Sequence, residues 1–263
     1  MAVLLVDGCT TTPVTGRHQL QLIPESQEVQ LGLTAFEQLK KEQPISRDPA
    51  VNAMLQRVGR RIAAVAQMPN AQWEFVVFES KEANAFALPG GKVGVYTGIL
   101  PITQTEDGLA TVIGHEVAHA SAHHGAERIS QSMAIQGVGQ LAGAALGSSN
   151  PQWQQTFQAA YGIGSQVGVE LPFSRKQESE ADEIGLIYMA RAGYNPQEAV
   201  RFWQRFAQAQ RGAGGGTPWF LRTHPVDEKR IADLQANMPK AMAEYRQAPT
   251  LAPTGRPQRG LRR

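Results

Sequence analysis

The amino-acid sequence predicts a helix-rich α+β fold with a small β-sheet. Apolar residues recur at helical spacing through most of the chain between residues 26 and 243. Only the short segments 73–78 and 92–96 have the β-branched and aromatic composition of strands. The chain has 263 residues, of which 42% are hydrophobic, so it can bury one core of ordinary size. It contains no internal repeats.

The first elements are two helices. Ser26–Lys41 has one apolar face, formed by Leu31, Ala35, Phe36 and Leu39. A second helix follows Asp48-Pro49, where an N-cap aspartate precedes a proline at the first helical position, and it runs to about Ala66.

The strands and the later helices complete the predicted fold. Trp73–Phe78 and Lys92–Tyr96 are predicted to be partner strands, separated by a loop that contains Pro89-Gly90-Gly91. Met133–Gly147 and Ser148–Gly168 are predicted to form a helical pair near the active site, placed to act as a lid. The remaining helices are expected around residues 115 and 178, after Asn195-Pro196, and from about Pro225 to Ala243, with a flexible break at Gly212–Gly216. Residues 1–19 are expected to form a separate N-terminal segment, 20–245 the domain, and 246–263 a disordered basic tail.

The most informative motif is His115-Glu116-Val117-Ala118-His119. Four residues return the second imidazole to the same helix face, so both imidazoles can bind one tetrahedral metal ion. Glu116 is placed to take a proton from a water bound to that metal, as in zinc peptidases. The surrounding residues are small and apolar, and a bound zinc would compensate the cost of burying these ionisable groups.

A catalytic zinc needs a third protein ligand and one open position. A third histidine in the spacing HExxHxxGxxH is excluded, because Ala122 and Gly125 occupy its glycine and histidine positions. His123 and His124 are expected to lie behind the ligands or on the surface. Glu178 and Asp182 share a helix face. We therefore expect Glu178 to be the third ligand and Asp182 to accept a hydrogen bond from a ligand imidazole, with Glu180 pointing away. A charged helix start is the alternative reading of these carboxylates.

HExxH followed by Glu178-Ser-Glu-Ala-Asp182 resembles the gluzincin peptidases related to HtpX and the CAAX prenyl endopeptidase. Residues 84–91, 96–100 and Thr223-His224-Pro225 with Arg230 fit the soluble, bacterial periplasmic branch. The resemblance covers roughly residues 20 to 245. It implies a zincin-like fold, one Zn²⁺ per chain, and an endopeptidase of cell-envelope quality control that acts on unfolded or misfolded proteins. Outer-membrane assembly machinery is an expected partner, and a zinc-stabilised chaperone with little proteolysis is the alternative function.

The same resemblance implies two further site residues. His224 would lie near the metal, either stabilising the oxyanion or binding as a reversible fourth ligand, and Arg230 would help to shape the site. The segment Asn84, Ala85 and Phe86 is expected to bind substrate by strand addition at a sheet edge.

Composition limits the remaining partners. The formal net charge of +2 comes from arginines of the C-terminal tail, so we expect no nucleic-acid surface. Cys9 is the only cysteine, so an intrachain disulfide is excluded. Because Val6-Asp7-Gly8-Cys9 resembles a lipoprotein cleavage site, we expect a periplasmic protein with a lipid anchor at Cys9 in the outer membrane; a free thiol is the alternative. No apolar run is long enough for a membrane-spanning helix.

Overall fold

Helices make up most of the structure, as the sequence predicts. The computed structural model describes residues 9–136, 156–158, 160–161, 173–212, 220, 223–224 and 228–250. The predicted lid helices, the glycine-rich break after Gly212, the start of the last helix near Pro225 and the end of the basic tail lie largely or wholly outside these residues. The helix-rich α+β fold class is confirmed.

The described chain begins with a hairpin. Strands β1 (Cys9–Thr11) and β2 (His18–Leu20) pair antiparallel, with Cys9 opposite Leu20. The expected boundary between residues 19 and 20 therefore falls inside β2. Side chains of the hairpin reach helices that come much later in the sequence, as described below.

Two helices precede the sheet. These are α1 (Glu25–Glu42) and α2 (Pro49–Ala63). The Asp48 carboxylate accepts hydrogen bonds from the backbone N–H groups of Ala50 and Val51, so the predicted cap and N1 proline do start α2.

The sheet has three strands in the order β3-β5-β4. Strand β5 (Lys92–Tyr96) lies in the centre, parallel to β3 (Glu74–Phe78) and antiparallel to β4 (Ala85–Leu88). The turn Pro89-Gly90-Gly91 joins β4 to β5, and both glycines have positive φ. The sequence does not predict β4 as a full strand, because alanine and leucine favour helices in isolation.

Both faces of the sheet are buried. Phe75, Val77, Ala85, Ala87, Val93 and Val95 pack toward α2 and the central helices. Phe78, Phe86, Leu88 and Tyr96 face α1, where their rings form a cluster with Phe36. The alternation has the period of two that a strand imposes on its side chains.

The remaining elements carry the functional residues. They are a 3₁₀ turn (Thr97–Ile99), α3 (Leu100–Thr103), α4 (Glu106–Ser121), α5 (His124–Gln136), α6 (Arg175–Arg191), α7 (Gln197–Gly212) and α8 (Glu228–Gln247). The last helix continues four residues beyond the predicted end at Ala243. Among the described helices, none combines the length and apolar character needed to cross a bilayer.

Helices α4 and α6 cross at two glycines. A Cβ atom added to Gly185 would lie 2.8 Å from the backbone nitrogen of His115, and one added to Gly114 would lie 2.9 Å from the carbonyl oxygen of Gly185. The two backbones are therefore in direct contact, with no room for a side chain between them. This contact sets the separation of the helix that carries His115 and His119 from the helix that carries Glu178.

Candidate active site

Helix α4 places the HExxH residues in the centre of the molecule. Its N-cap Thr105 accepts a hydrogen bond from the backbone N–H of Gly108, and every residue from Gly108 to Ser121 is buried. His115 and His119 lie on the same face, with their Nε2 atoms 3.1 Å apart. Most of the other residues of this helix are small or apolar, so packing does not explain why these polar residues are buried together.

Helix α6 brings a carboxylate to the same point. Its start is fixed by a capping box between Ser174 and Gln177. Glu178, in its first turn, places Oε2 3.5 Å from Nε2 of His115 and Oε1 3.3 Å from Nε2 of His119. Two helices therefore bring the sequence-predicted ligand residues together, although Glu178 lies 59 residues after His119 in the sequence.

His224 completes the cluster. Its Nδ1 lies 3.2 Å from Nε2 of His115 and 2.8 Å from Oε1 of Glu178. The ring is held by aromatic neighbours, with ring centroids 5.2 Å from Phe173 and 4.5 Å from Phe220. One potential ligand atom from each of four buried residues lies within 4.8 Å of all the others, and these residues are His115, His119, Glu178 and His224.

The spacing of these atoms fits a zinc ion. Zinc–nitrogen and zinc–oxygen bonds of about 2.0–2.1 Å in a tetrahedron place neighbouring ligand atoms about 3.3 Å apart. The distances given above, 2.8 to 3.5 Å, bracket that value. Glu116 is also buried, and its Oε1 has no hydrogen-bond partner among the described residues, although Nε2 of His224 lies 3.5 Å away. A buried carboxylate oxygen without such a partner is costly unless a ligand or a water occupies the site.

Asp182 and Arg230 form a second layer around His115. Oδ1 of Asp182 lies 3.0 Å from Nδ1 of His115, the ring nitrogen that faces away from Glu178. Arg230 contacts both carboxylates: Nη2 donates to Oδ1 of Asp182 at 2.7 Å, and Nη1 lies 2.8 Å from Oε2 of Glu178. Its guanidinium carbon lies 3.4 Å from the ring centroid of Trp203. The planar cation can bridge two carboxylates and stack on an indole at once, which a lysine could not do.

The electrostatics keep two members of the cluster, His119 and Glu178, in the protonation state that binds a metal. Burial lowers the pKa of His119 well below its ordinary value, so its imidazole is neutral, as a ligand must be. Burial alone would raise the pKa of Glu178, but His224 and Arg230 lower it well below its ordinary value and keep it ionised. Burial raises the pKa of Glu116, which brings this carboxylate closer to the range in which it can exchange protons near neutral pH.

Three residues near the ligands, His123, His124 and Glu180, have buried contacts whose partners the sequence did not indicate. His124 lies directly behind His119, with their Nδ1 atoms 2.9 Å apart, and His123 instead contacts Glu28 with 2.7 Å between Nδ1 and Oε2. Glu180 does face away from Glu178, but it is buried and lies 3.1 Å from Nε2 of His124. Helical spacing places Glu180 on another face of α6, yet spacing cannot show that α5 and the N-terminal hairpin pack there.

The predicted substrate segment lies on the outer strand of the described sheet. Ala85 and Phe86 belong to β4, which runs beside α4, and Asn84 precedes it. The Phe86 ring is buried against Phe36 and Tyr96, so its side chain belongs to the core. Asn84 and Ala85 are buried as well.

A buried HExxH helix, with a glutamate supplied by a second helix, defines a zinc metallopeptidase. The chain belongs to peptidase family M48, which matches residues 49–238. This confirms the predicted enzyme class, the zinc cofactor and the zincin-like form of the α+β fold.

Curated relatives carry peptidase names. The chain is 36% identical over 235 residues to the mitochondrial metalloendopeptidase OMA1 of Schizosaccharomyces pombe, covering 88% of this chain and 67% of the relative. It is 38% identical over 185 residues to OMA1 of Saccharomyces cerevisiae, covering 67% of this chain and 50% of the relative. It is 28% identical over 238 residues to the beta-barrel assembly-enhancing protease of Escherichia coli, covering 89% of this chain and 48% of the relative. The chain thus spans 48% to 67% of the length of these relatives. The family-level resemblance is confirmed, and these relatives are not named after HtpX or the CAAX prenyl endopeptidase.

Proposed function

We propose that this protein is a zinc-dependent endopeptidase that hydrolyses unfolded or misassembled proteins of the bacterial cell envelope. The single observation that carries the proposal is the buried cluster of His115, His119, Glu178 and His224 beside the Glu116 carboxylate. The names of the relatives, metalloendopeptidase and beta-barrel assembly-enhancing protease, support the endopeptidase action and the substrate class.

His115, His119 and Glu178 are the proposed zinc ligands. Zinc, when bound, supplies a Lewis acid that polarises the scissile carbonyl and acidifies water. Asp182 orients His115 through its contact with Nδ1, and Arg230 fixes both Asp182 and Glu178. Buried partners of this kind hold an imidazole in one tautomer and one orientation, which strengthens its binding to a metal.

Glu116 is the proposed general base and acid. As a carboxylate it takes a proton from the attacking water, and it then delivers that proton to the amine that leaves when the peptide bond breaks. Burial raises its pKa, which makes it a better base than an exposed glutamate. Its Oε1 has no hydrogen-bond partner in the described part of the chain, so that atom is available to a water.

His224 is proposed to gate the site. With its Nδ1 beside His115 and Glu178, it makes a set of four protein ligands, which leaves no open position for water or substrate. If zinc binds all four residues, this arrangement would be a resting form, and His224 would have to move before hydrolysis. The alternative role is an oxyanion donor, in which His224 stays near the site and stabilises the developing negative charge.

The backbone of β4 is proposed to bind the substrate as an added strand. Asn84 accepts a hydrogen bond from Tyr96 on the inner side of the sheet, so the alternating pattern turns the backbone groups of Ala85 and Ala87 outward. The outward N–H of Ala85 is bound by the side-chain oxygen of Asn84 at 2.9 Å. An incoming peptide would displace that amide and pair with the strand.

The cellular setting is part of the proposal. A periplasmic location, an outer-membrane lipid anchor at Cys9 and contact with outer-membrane assembly machinery agree with the relatives named for β-barrel assembly. The relatives named mitochondrial metalloendopeptidase support the same enzyme class, but their name does not support a periplasmic location.

The test compares wild type with Glu116→Gln on an unfolded outer-membrane β-barrel protein and on the same protein after folding. We expect wild type to cleave the unfolded form, and Glu116→Gln to bind zinc normally but to lose about 10²–10⁴-fold or more in rate, because an amide cannot accept the proton. His123→Asn is a suitable control, since His123 faces Glu28 and asparagine tolerates its positive φ. Equal cleavage by Glu116→Gln and wild type would refute the mechanism.

A further inference from the structure

His119 has a second buried contact besides the proposed metal ligands. Its Nε2 faces His115 and Glu178, while its Nδ1 lies 2.9 Å from Nδ1 of His124. His124 begins helix α5 and its side chain is fully buried. The turn between the two helices contains His123 with a positive φ of 53°, and this turn directs His124 back toward His119.

The hydrogens of this contact can be arranged in one consistent way. If His119 binds zinc through Nε2, its proton is on Nδ1, so Nδ1 donates to Nδ1 of His124. His124 then carries its own proton on Nε2, which lies 3.1 Å from Oε2 of Glu180 and donates to that carboxylate. The contacts form a directed chain from His119 through His124 to Glu180.

The N-terminal hairpin holds the end of this chain. Oγ1 of Thr12 donates to Oε1 of Glu180 at 2.6 Å, Thr15 donates to the same oxygen, and Nε of Arg17 lies 2.5 Å from Oε2. Arg17 also forms a two-pronged contact with Glu127, at 2.7 and 2.9 Å. A carboxylate with this many donors has one orientation available to it.

We propose that His124 and Glu180 are positioning residues for the zinc ligand His119, and that the hairpin of residues 9–20 is part of the active-site structure because it fixes Glu180. The proposal rests on the proposed role of His119. Each ligand imidazole then has a carboxylate that orients it: Asp182 contacts His115 directly, and Glu180 acts on His119 through His124. A positioning residue of this kind acts on zinc affinity as well as on the reaction rate.

The test measures the zinc dissociation constant of the full chain by competition with a chromophoric chelator, and the melting temperature of the metal-free protein. His124→Leu introduces an apolar side chain of similar size and removes Nδ1, the atom that accepts from His119. We expect zinc binding to weaken about 10–100-fold. His124→Asn places its side-chain oxygen near the position of Nδ1, so we expect it to restore most of the affinity. If His124→Asn binds zinc as weakly as His124→Leu, the effect comes from packing and the proposal is overturned.

A second pair of variants separates the chain of contacts from hairpin docking, and it serves if His124→Leu does not fold. Glu180→Ala and Glu127→Ala each remove a buried carboxylate partner of Arg17, but only Glu180 contacts His124. We expect Glu180→Ala to weaken zinc binding about tenfold or more. Glu127→Ala should weaken it less, because Glu127 contacts Arg17 and Gln177 but not His124. Equal zinc affinities in both variants overturn the proposal. Absence of zinc binding in the wild type would overturn the ligand assignment, and this inference with it.

Discussion

Replacing Gly185 by alanine tests whether the crossing of α4 and α6 sets the geometry of the metal site. The added Cβ would lie 2.8 Å from the carbonyl carbon of Gly114 and from the nitrogen of His115. These are backbone atoms of a helix, so they cannot rotate away as a side chain could. The two helices must separate by about 0.6 Å to reach an acceptable contact distance of 3.4 Å.

The substitution should affect both the stability of the metal-free protein and its affinity for zinc. Overpacking costs about 1–3 kcal/mol, whereas alanine gains about 1 kcal/mol over glycine inside a helix, so the metal-free protein loses about 0–2 kcal/mol. Metal–ligand distances tolerate only about 0.2 Å, so the separation moves Glu178 out of range of His115 and His119. We expect zinc affinity to fall at least about tenfold, which corresponds to about 1.4 kcal/mol.

The assay measures zinc affinity by chelator competition and stability by thermal unfolding without metal. Gly59→Ala is the matched control, because its Cβ would lie 2.4 Å from the Phe75 ring, a buried contact between α2 and β3 away from the ligands. We expect this control to lower stability and leave zinc affinity unchanged. The reasoning is refuted if Gly185→Ala binds zinc as tightly as wild type, or if both variants weaken zinc binding equally.

The other predictions concern the ligands and the hairpin. His119→Ala should abolish stoichiometric zinc and Glu178→Ala should weaken it, as measured by metal analysis; full zinc retention in both would contradict the ligand assignment. His224→Ala should be at least as active as wild type on an unfolded substrate if His224 gates the site, whereas loss of an oxyanion donor should lower kcat about 10²–10³-fold. The hairpin should detach in acid: although burial raises the pKa of Glu180, its hydrogen bonds to His124 and the hairpin lower it to about 2. Its stabilisation is therefore complete above the ordinary value of 4.5 and is lost as the pH falls toward 2, which hydrogen exchange of residues 9–20 would detect against Glu180→Ala.

The sequence determined the chemistry of this protein because its key residues are local. His115, Glu116 and His119 lie within five residues, and an α-helix with its fixed repeat leaves one arrangement of their side chains. The helix start at Asp48-Pro49 was also predictable, because a cap involves only neighbours in sequence. The capping box at Ser174 explains the start of α6 in the same way. For β4 the sequence predicted only that residues 84–86 lie at a sheet edge, and not the full strand, since Ala85–Leu88 becomes a strand only through pairing with β5.

Tertiary structure decided which of several candidate side chains surround the motif. Glu178 and Glu180 are two residues apart and alike in sequence, yet one faces His115 and His119 while the other faces His124 and the hairpin. Helical spacing puts the two carboxylates on different faces of α6. Packing decides what each face meets, because α4 approaches one side at Gly185 and the N-terminal hairpin approaches another. Contacts between residues more than 160 positions apart, such as that between Thr12 and Glu180, leave no periodic trace in the sequence, so only the folded chain reveals them.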